Sequence, residues 1–148
     1  MPLNPSIAVA EVRKIADPSH PSHSWPSSAA ATKTRWAAAV RAHFEGLVSP
    51  SLVPGTLAAA EAAMVAAFDP AAGLVGLQAG LAAFAGAVVA GIAPGQVATP
   101  PPAPPAWGSL ANTSDGTARS TQIGQALDTW ARTGLVGAAP GPPTNPWS

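Results

Sequence analysis

Cysteine is absent from the 148 residues, and with it the disulfide framework and the zinc-thiolate site that cysteines build. Charge is nearly as scarce. Charged residues make up 9% of the chain, against about a quarter in an average soluble domain, and seven basic side chains cancel seven acidic ones. Without a positive excess there is no long-range attraction toward nucleic acid or anionic lipid, so a nucleic-acid partner is not expected. The opening "MPLNPSIAVAEVRK" has no basic region leading into an apolar run, which argues against a secretory signal and for synthesis in a cytoplasm. The length suits one ordinary domain with a single core.

Reactive constellations are missing as well. His20 and His23 stand three apart in "SHPSH", but Pro21 forbids the helix that would align them on a metal, and no third ligand is near in sequence. His43 adjoins an apolar stripe and reads as a packed or surface histidine. No G-x-S-x-G elbow presents a serine nucleophile. The carboxylates Glu11, Asp17, Glu45, Glu61, Asp69, Asp115 and Asp128 fall in separate segments rather than as an acid/base pair. "GLVGLQAG" holds glycines, yet no Lys-Ser/Thr follows to make a phosphate cradle. The chain is therefore not read as an enzyme, and no cofactor, metal or small-molecule substrate is expected.

Alanine, glycine and proline fill the space that charge leaves, and proline divides the chain because it removes a helix donor and restricts its predecessor. About five helices result. The first is expected from Asn4, a cap, through Pro5 at the first helical position to a stop near Asp17, with Ile7, Ala8, Val12 and Ile15 on one face. "PSHPSHSWPSS" is an extended connector, after which Ser27 or Ser28 caps a helix carrying Trp36, Val40, Phe44 and Leu47 as a stripe. A short Ala-rich helix follows, with Thr56 as cap and Pro70 as stop. Near the C-terminus Ser114 opens a helix whose apolar face is Ile123, Leu127 and Trp130, Asp128 and Arg132 form an i,i+4 pair, and Gly134 suits a left-handed stop.

The remaining helix, Gly73 to Gly95, carries no charge at all. Its large side chains, Leu74, Leu77, Leu81, Phe84 and Val88, repeat at three and four, a heptad stripe. A second line of Gly76, Gly80, Ala83, Ala87 and Gly91 is small enough to admit a neighbouring backbone. Each helical glycine costs about 0.5–1 kcal/mol relative to alanine, so contact on both faces must hold the segment. Its length also permits a membrane span. Against a span stand the weakly lipophilic Gly and Ala content and the lack of any Lys or Arg between Arg41 and Arg119 to orient it.

Five prolines fall within Pro100 to Pro105, where only a polyproline II spacer or strap can form. Trp25, Trp107 and Trp147 adjoin such Pro-rich stretches, and an aromatic on a stiff arm suits a pocket in another subunit. The chain is accordingly divided into a helical domain over 1–95, an extended linker over 96–113, a helix over 114–134 and an extended tail over 135–148.

The short Ala/Gly-rich chain, the Pro-broken helices, the low charge and the ending "PPTNPWS" together resemble the small structural proteins of tailed-bacteriophage particles. That resemblance implies a virion component of neck, tail or baseplate, working beside copies of itself and other virion proteins. The expected architecture is all-α, with extended N- and C-terminal arms. Gly76, Gly80, Ala83, Ala87, Gly91, Trp107 and Trp147 are the expected interface residues, and Trp147 is expected to leave a flexible arm for a pocket on a neighbouring chain. Two other functions fit parts of the sequence: a holin-type membrane protein with 73–95 as its span, and a scaffold displaying "PPPAPPAW" to an SH3-like or WW-like domain.

Overall fold

The computed structural model describes residues 2–105 and 115–148. Helices dominate, but the fold is not purely α: among the described residues five α-helices accompany a small three-stranded antiparallel sheet. The helices are α1 (Pro5–Ala16), α2 (Ala29–Phe44), α3 (Thr56–Ala67), α4 (Gly73–Ala90) and α5 (Gly116–Ala131). The strands are β1 (Gln96–Thr99), β2 (Leu135–Ala138) and β3 (Asn145–Pro146), in the order β1-β2-β3.

Local chemistry sets the helix ends. Asn4 Oδ1 accepts from the Ser6 amide at 2.9 Å ahead of Pro5, and Ser28 Oγ accepts from the Ala31 amide at 3.1 Å. Gly55, not Thr56, is the cap of α3, with a φ of 88°. Thr56 Oγ1 instead donates to the carbonyls of Val53 and Gly91, fastening the start of α3 to the end of α4. Asp115 caps α5 by accepting from the Thr117 amide at 2.9 Å, while the expected cap Ser114 lies outside the described residues.

Neighbouring helices pack in the sequence α5, α1, α2, α3, α4. The first and last helices are thereby brought together, closely enough that a Cβ on Gly124 would stand 2.6 Å from the Val9 backbone. Asp17 holds the same junction. Buried at the end of α1, it accepts from Ser19 Oγ at 2.6 Å, Arg13 Nε at 2.8 Å and Thr117 Oγ1 at 2.9 Å. The bond from Ser19, with those from Arg13 and Thr117, outweighs burial and keeps its carboxyl far below the usual carboxylate range.

One core unites the chain from Leu3 to Trp147. Phe44, fully buried at the end of α2, meets Phe84 of α4 at 4.9 Å between ring centroids and the rings of Trp130 and Trp147 at 6.3 Å each. Such tilted and edge-on aromatic pairs add to area burial.

The two extended arms expected from the sequence are corrected here. Leu3 is 3% exposed and helix begins two residues later, so the N-terminus is seated on the core. The C-terminal residues fold back too: β2 pairs with both β1 and β3, and Trp147 is 0% exposed. Its indole Nε1 donates to the Leu135 carbonyl at 3.1 Å, while the amide of Ser148 donates to the Ser49 carbonyl at 2.9 Å. Proline bars helix here but does not bar a short strand, and the apolar ring repays the ordering of the segment by leaving water. Gly134 has no left-handed φ; a Cβ there would stand 2.5 Å from the Trp147 ring, and that closeness accounts for the glycine.

Trp147→Ala is expected to destabilise the isolated protein by about 3–5 kcal/mol in urea unfolding. Trp25→Ala, at a side chain that is 69% exposed, is expected to change stability by less than about 0.5 kcal/mol. Asp17→Asn is expected to lower stability at neutral pH and to flatten its fall below pH 3.8, so that urea unfolding of variant and unmodified chain converges in acid. A carboxyl held low contributes stability that is complete above its ordinary value of 3.8 and is lost as pH falls below it.

Candidate interaction surface

The heptad stripe and the small stripe of α4 lie on adjoining faces with different neighbours. Leu77, Leu81, Phe84 and Val88 are buried in the common core, whereas Leu74, first of the stripe, is 47% exposed. The small residues face α3 and the turn before α4. A Cβ on Gly76 would overlap the Asp69 carbonyl, one on Gly91 would overlap the Thr56 side chain, and one on Gly80 would stand 3.0 Å from Phe68 Cβ and 3.2 Å from Met64 Cγ. Ala83 and Ala87 continue the line half-buried. The atoms that meet Gly76, Gly80 and Gly91 thus belong to the same chain, backbone at Gly76 and side chains at Gly80 and Gly91. Trp107 lies outside the described residues, and Trp147 is in the core.

With those two faces engaged, the third side of the hairpin is left outward. On α3 it exposes Ala58, Ala59, Ala62, Ala66 and Ala67; on α4 it exposes Val75, Ala79, Ala82, Gly86 and Ala90. Asp69 is the single charged residue of the sequence between Glu61 and Asp115. Glu61 itself turns toward α2, where its carboxylate accepts from Arg41 at 2.8 Å. That bond raises the Arg41 guanidinium above its ordinary value. Two antiparallel-connected helices of about 18 and 27 Å, lying about 8–10 Å apart, offer a platform of a few hundred Å².

Gly86 sets this surface apart. Gly76, Gly80 and Gly91 each face atoms of their own chain that a side chain would strike, but a Cβ on Gly86 would meet nothing within 4 Å. It is a mid-helix glycine that intrachain packing does not require, standing among residues whose side chains extend no farther than a methyl or isopropyl group. A shallow groove of about 390 Å³ opens between the start of α3 and the end of α4, lined by Pro54, Thr56, Ala59, Ala87, Ala90 and Gly91. The stretch 70–90 is also long and apolar enough to cross a membrane, by length and composition, and 39% of its most apolar window is buried inside the protein.

Elsewhere the surface offers less. Pro102, Pro104 and Pro105 lie over α5 and with Ala126, Thr129 and Trp130 line a cleft of about 340 Å³, so this part of the Pro-rich segment is a strap against the helix. Trp25 stands out from the α1–α2 connector with its ring edge-on to His23 at 4.5 Å. His20 Nδ1 accepts from the Ser22 amide at 3.1 Å, and among the described residues no three His, Asp or Glu converge as metal ligands.

Comparison with protein-family models, with curated proteins and with solved structures finds no match to this chain.

The glycines divide into two kinds that substitution distinguishes. Gly76→Ala is expected to cost about 1–3 kcal/mol or more by overpacking against the Asp69 carbonyl, whereas Gly86→Ala is expected to stabilise the free protein by about 0.5–1 kcal/mol. Urea unfolding of the two variants beside the unmodified chain checks both signs.

Proposed function

We propose that this chain is a structural subunit of a multi-subunit assembly and acts through contact rather than catalysis. The observation that carries the reading is the outward side of the α3–α4 hairpin, a continuous Ala/Gly/Val surface without a charged side chain. An apolar patch of a few hundred Å² is the size of the largest patch on an ordinary domain, and such a patch often marks a contact site. Alanine and glycine lose almost no side-chain entropy on contact, and they let backbones approach closely. The uncharged composition also selects its partner, because a charge placed against it would be desolvated without a counter-charge. A second copy of the same surface meets that condition, as does an equally uncharged helical neighbour.

The style of the sequence extends this reading to a virion component of a tailed phage, at neck, tail or baseplate, made in the host cytoplasm and placed among copies of itself and other particle proteins. Exposed Trp25 is a second point of attachment in this picture, since a tryptophan on a proline-flanked loop supplies contact area at little entropic cost.

Analytical ultracentrifugation across a range of concentrations tests the assembly reading. Self-association is expected in the unmodified chain, and Ala62→Glu with Ala82→Glu is expected to weaken it at least about tenfold, since each buries an unpaired carboxylate worth well over 1.4 kcal/mol. A chain that stays monomeric alone and is not found in purified particles by mass spectrometry would overturn the reading.

A further inference from the structure

The small sheet has one sealed edge and one open edge. Beyond β3 the chain runs on to Ser148, whose amide donates to the Ser49 carbonyl at 2.9 Å and whose carbonyl accepts from the Ser49 amide at 3.0 Å, so the chain itself closes that side. On the other side lies β1, paired with β2 in an unbroken register from Gln96 opposite Ala138 to Thr99 opposite Leu135. Just ahead of that register the Ala139 amide donates to the Gly95 carbonyl at 3.0 Å. Antiparallel bonds recur at every second residue, so Val97 and Thr99 turn their backbone groups to β2 while Gln96 and Ala98 turn theirs outward. Among the described residues no hydrogen bond outside the sheet reaches the backbone N–H or C=O of Gln96 or Ala98. The Gln96 side chain is engaged separately, accepting from the Ser51 amide at 2.8 Å. Gln96, Val97 and Ala98 are half-buried, and Gly95 and Thr99 are exposed. Edge strands are commonly guarded by a charge, an internal proline or a bulge. β1, Gln-Val-Ala-Thr, is short but carries none of these.

We infer that the open edge of β1 pairs antiparallel with β1 of a second copy, about a two-fold axis through Val97, and joins the two sheets into one. The register follows from the residues. With Val97 opposite the partner's Val97, Gln96 faces the partner's Ala98 and the two exchange N–H and C=O, so every outward group of both strands is used. A slip of one residue would set outward groups against groups already turned to β2. A slip of two sets Ala98 against the partner's Pro94 or Gln96 against the partner's Pro100, and neither proline has an N–H to give. The flanking prolines thus select a single pairing.

Charge agrees with a second copy as the occupant. From Ala62 to Ser114 the sequence holds one charged residue, Asp69, so two copies of the strand meet without like charges opposed. Val97 and the partner's Val97 form a non-hydrogen-bonded pair, the closer of the two antiparallel kinds, where β-branched side chains pack well. A two-fold contact of this kind is self-complementary and closes at the dimer. It uses none of the outward side of α3–α4 and is independent of that surface.

The experiment is amide hydrogen exchange by NMR on the full chain in dilute and in concentrated solution, with sedimentation in parallel. The Val97 and Thr99 amides are expected to be protected at every concentration. Those of Gln96 and Ala98 are expected to exchange freely when dilute and to gain at least about tenfold protection as the dimer forms. The same alternation is expected in the Ala62→Glu, Ala82→Glu double variant, in which the α3–α4 contact is silenced. Val97→Lys and Val97→Glu are each expected to weaken the dimer about fivefold or more, since the axis sets like charges face to face, and an equimolar mixture of the two is expected to recover it. Gln96 and Ala98 amides that stay unprotected when concentrated, or are protected already when dilute, overturn the inference. A mixture that associates no better than either variant alone does the same. Should the Val97 variants fail to fold, the alternation in the unmodified chain decides. Self-association without that alternation strikes the β1 pairing and leaves the α3–α4 contact standing.

Discussion

The ring of Phe44 is the point on which the architecture converges. Placed at the C-terminal end of α2, it touches aromatic rings supplied by α4, by α5 and by the C-terminal segment, three elements separated from it by tens of residues. A chain with so few large side chains cannot spread its burial evenly. Alanine contributes little transfer free energy, and the largest rings of the core, Phe44, Phe84, Trp130 and Trp147, meet at one place among its aliphatic side chains. Around that centre, small residues allow short distances: Gly80 against Met64 and Phe68, Gly124 against Val9, Gly134 against the Trp147 indole. Large rings at the middle and glycines at the crossings are two halves of one packing solution.

Much of this was legible in the sequence. The caps at Asn4 and Ser28, the stop at Asp17, the pair formed by Asp128 and Arg132 and the buried stripe from Leu77 to Val88 follow from rules that act over three or four residues. The sheet did not follow, because strands of two to four residues are too short to show alternation and Gly/Pro-rich sequence around them signals turns. Trp147 was misread for a related reason: its proline neighbours suggested an arm, while its partners, Phe44 and the Leu135 carbonyl, lie far away or in a different strand. The small stripe on α4 was visible as spacing, but spacing is silent on whether a neighbouring backbone comes from the same chain. Gly86, outside that stripe, only becomes conspicuous once its sister glycines have been explained by intrachain contacts.

The scarcity of charge shapes the electrostatics as strongly as the packing. Most of the described ion pairs sit at helix ends or between helices: Arg13 with Asp17, Arg41 with Glu45 and Glu61, Arg132 with Asp128. Several are i,i+4 pairs on exposed or half-exposed stems, where the net gain of each is small. Their arrangement matters more than their strength, because it leaves the α3–α4 side uncharged and gathers the titratable groups on the side of α1, α2 and α5.

The closure of α1 onto α5 has a consequence for how the chain reaches its fold. Asp17 and Thr117, which bond across that junction, are separated by 100 positions. The length-dependent entropy of closing a loop of that size is about 4 kcal/mol, whereas the α3–α4 hairpin joins helices that follow one another almost directly. Local contacts of that kind form on far shorter timescales than long-range ones. The α3–α4 contacts thus close at little entropic cost, whereas joining the two ends of the chain carries the cost of nearly the whole length between them.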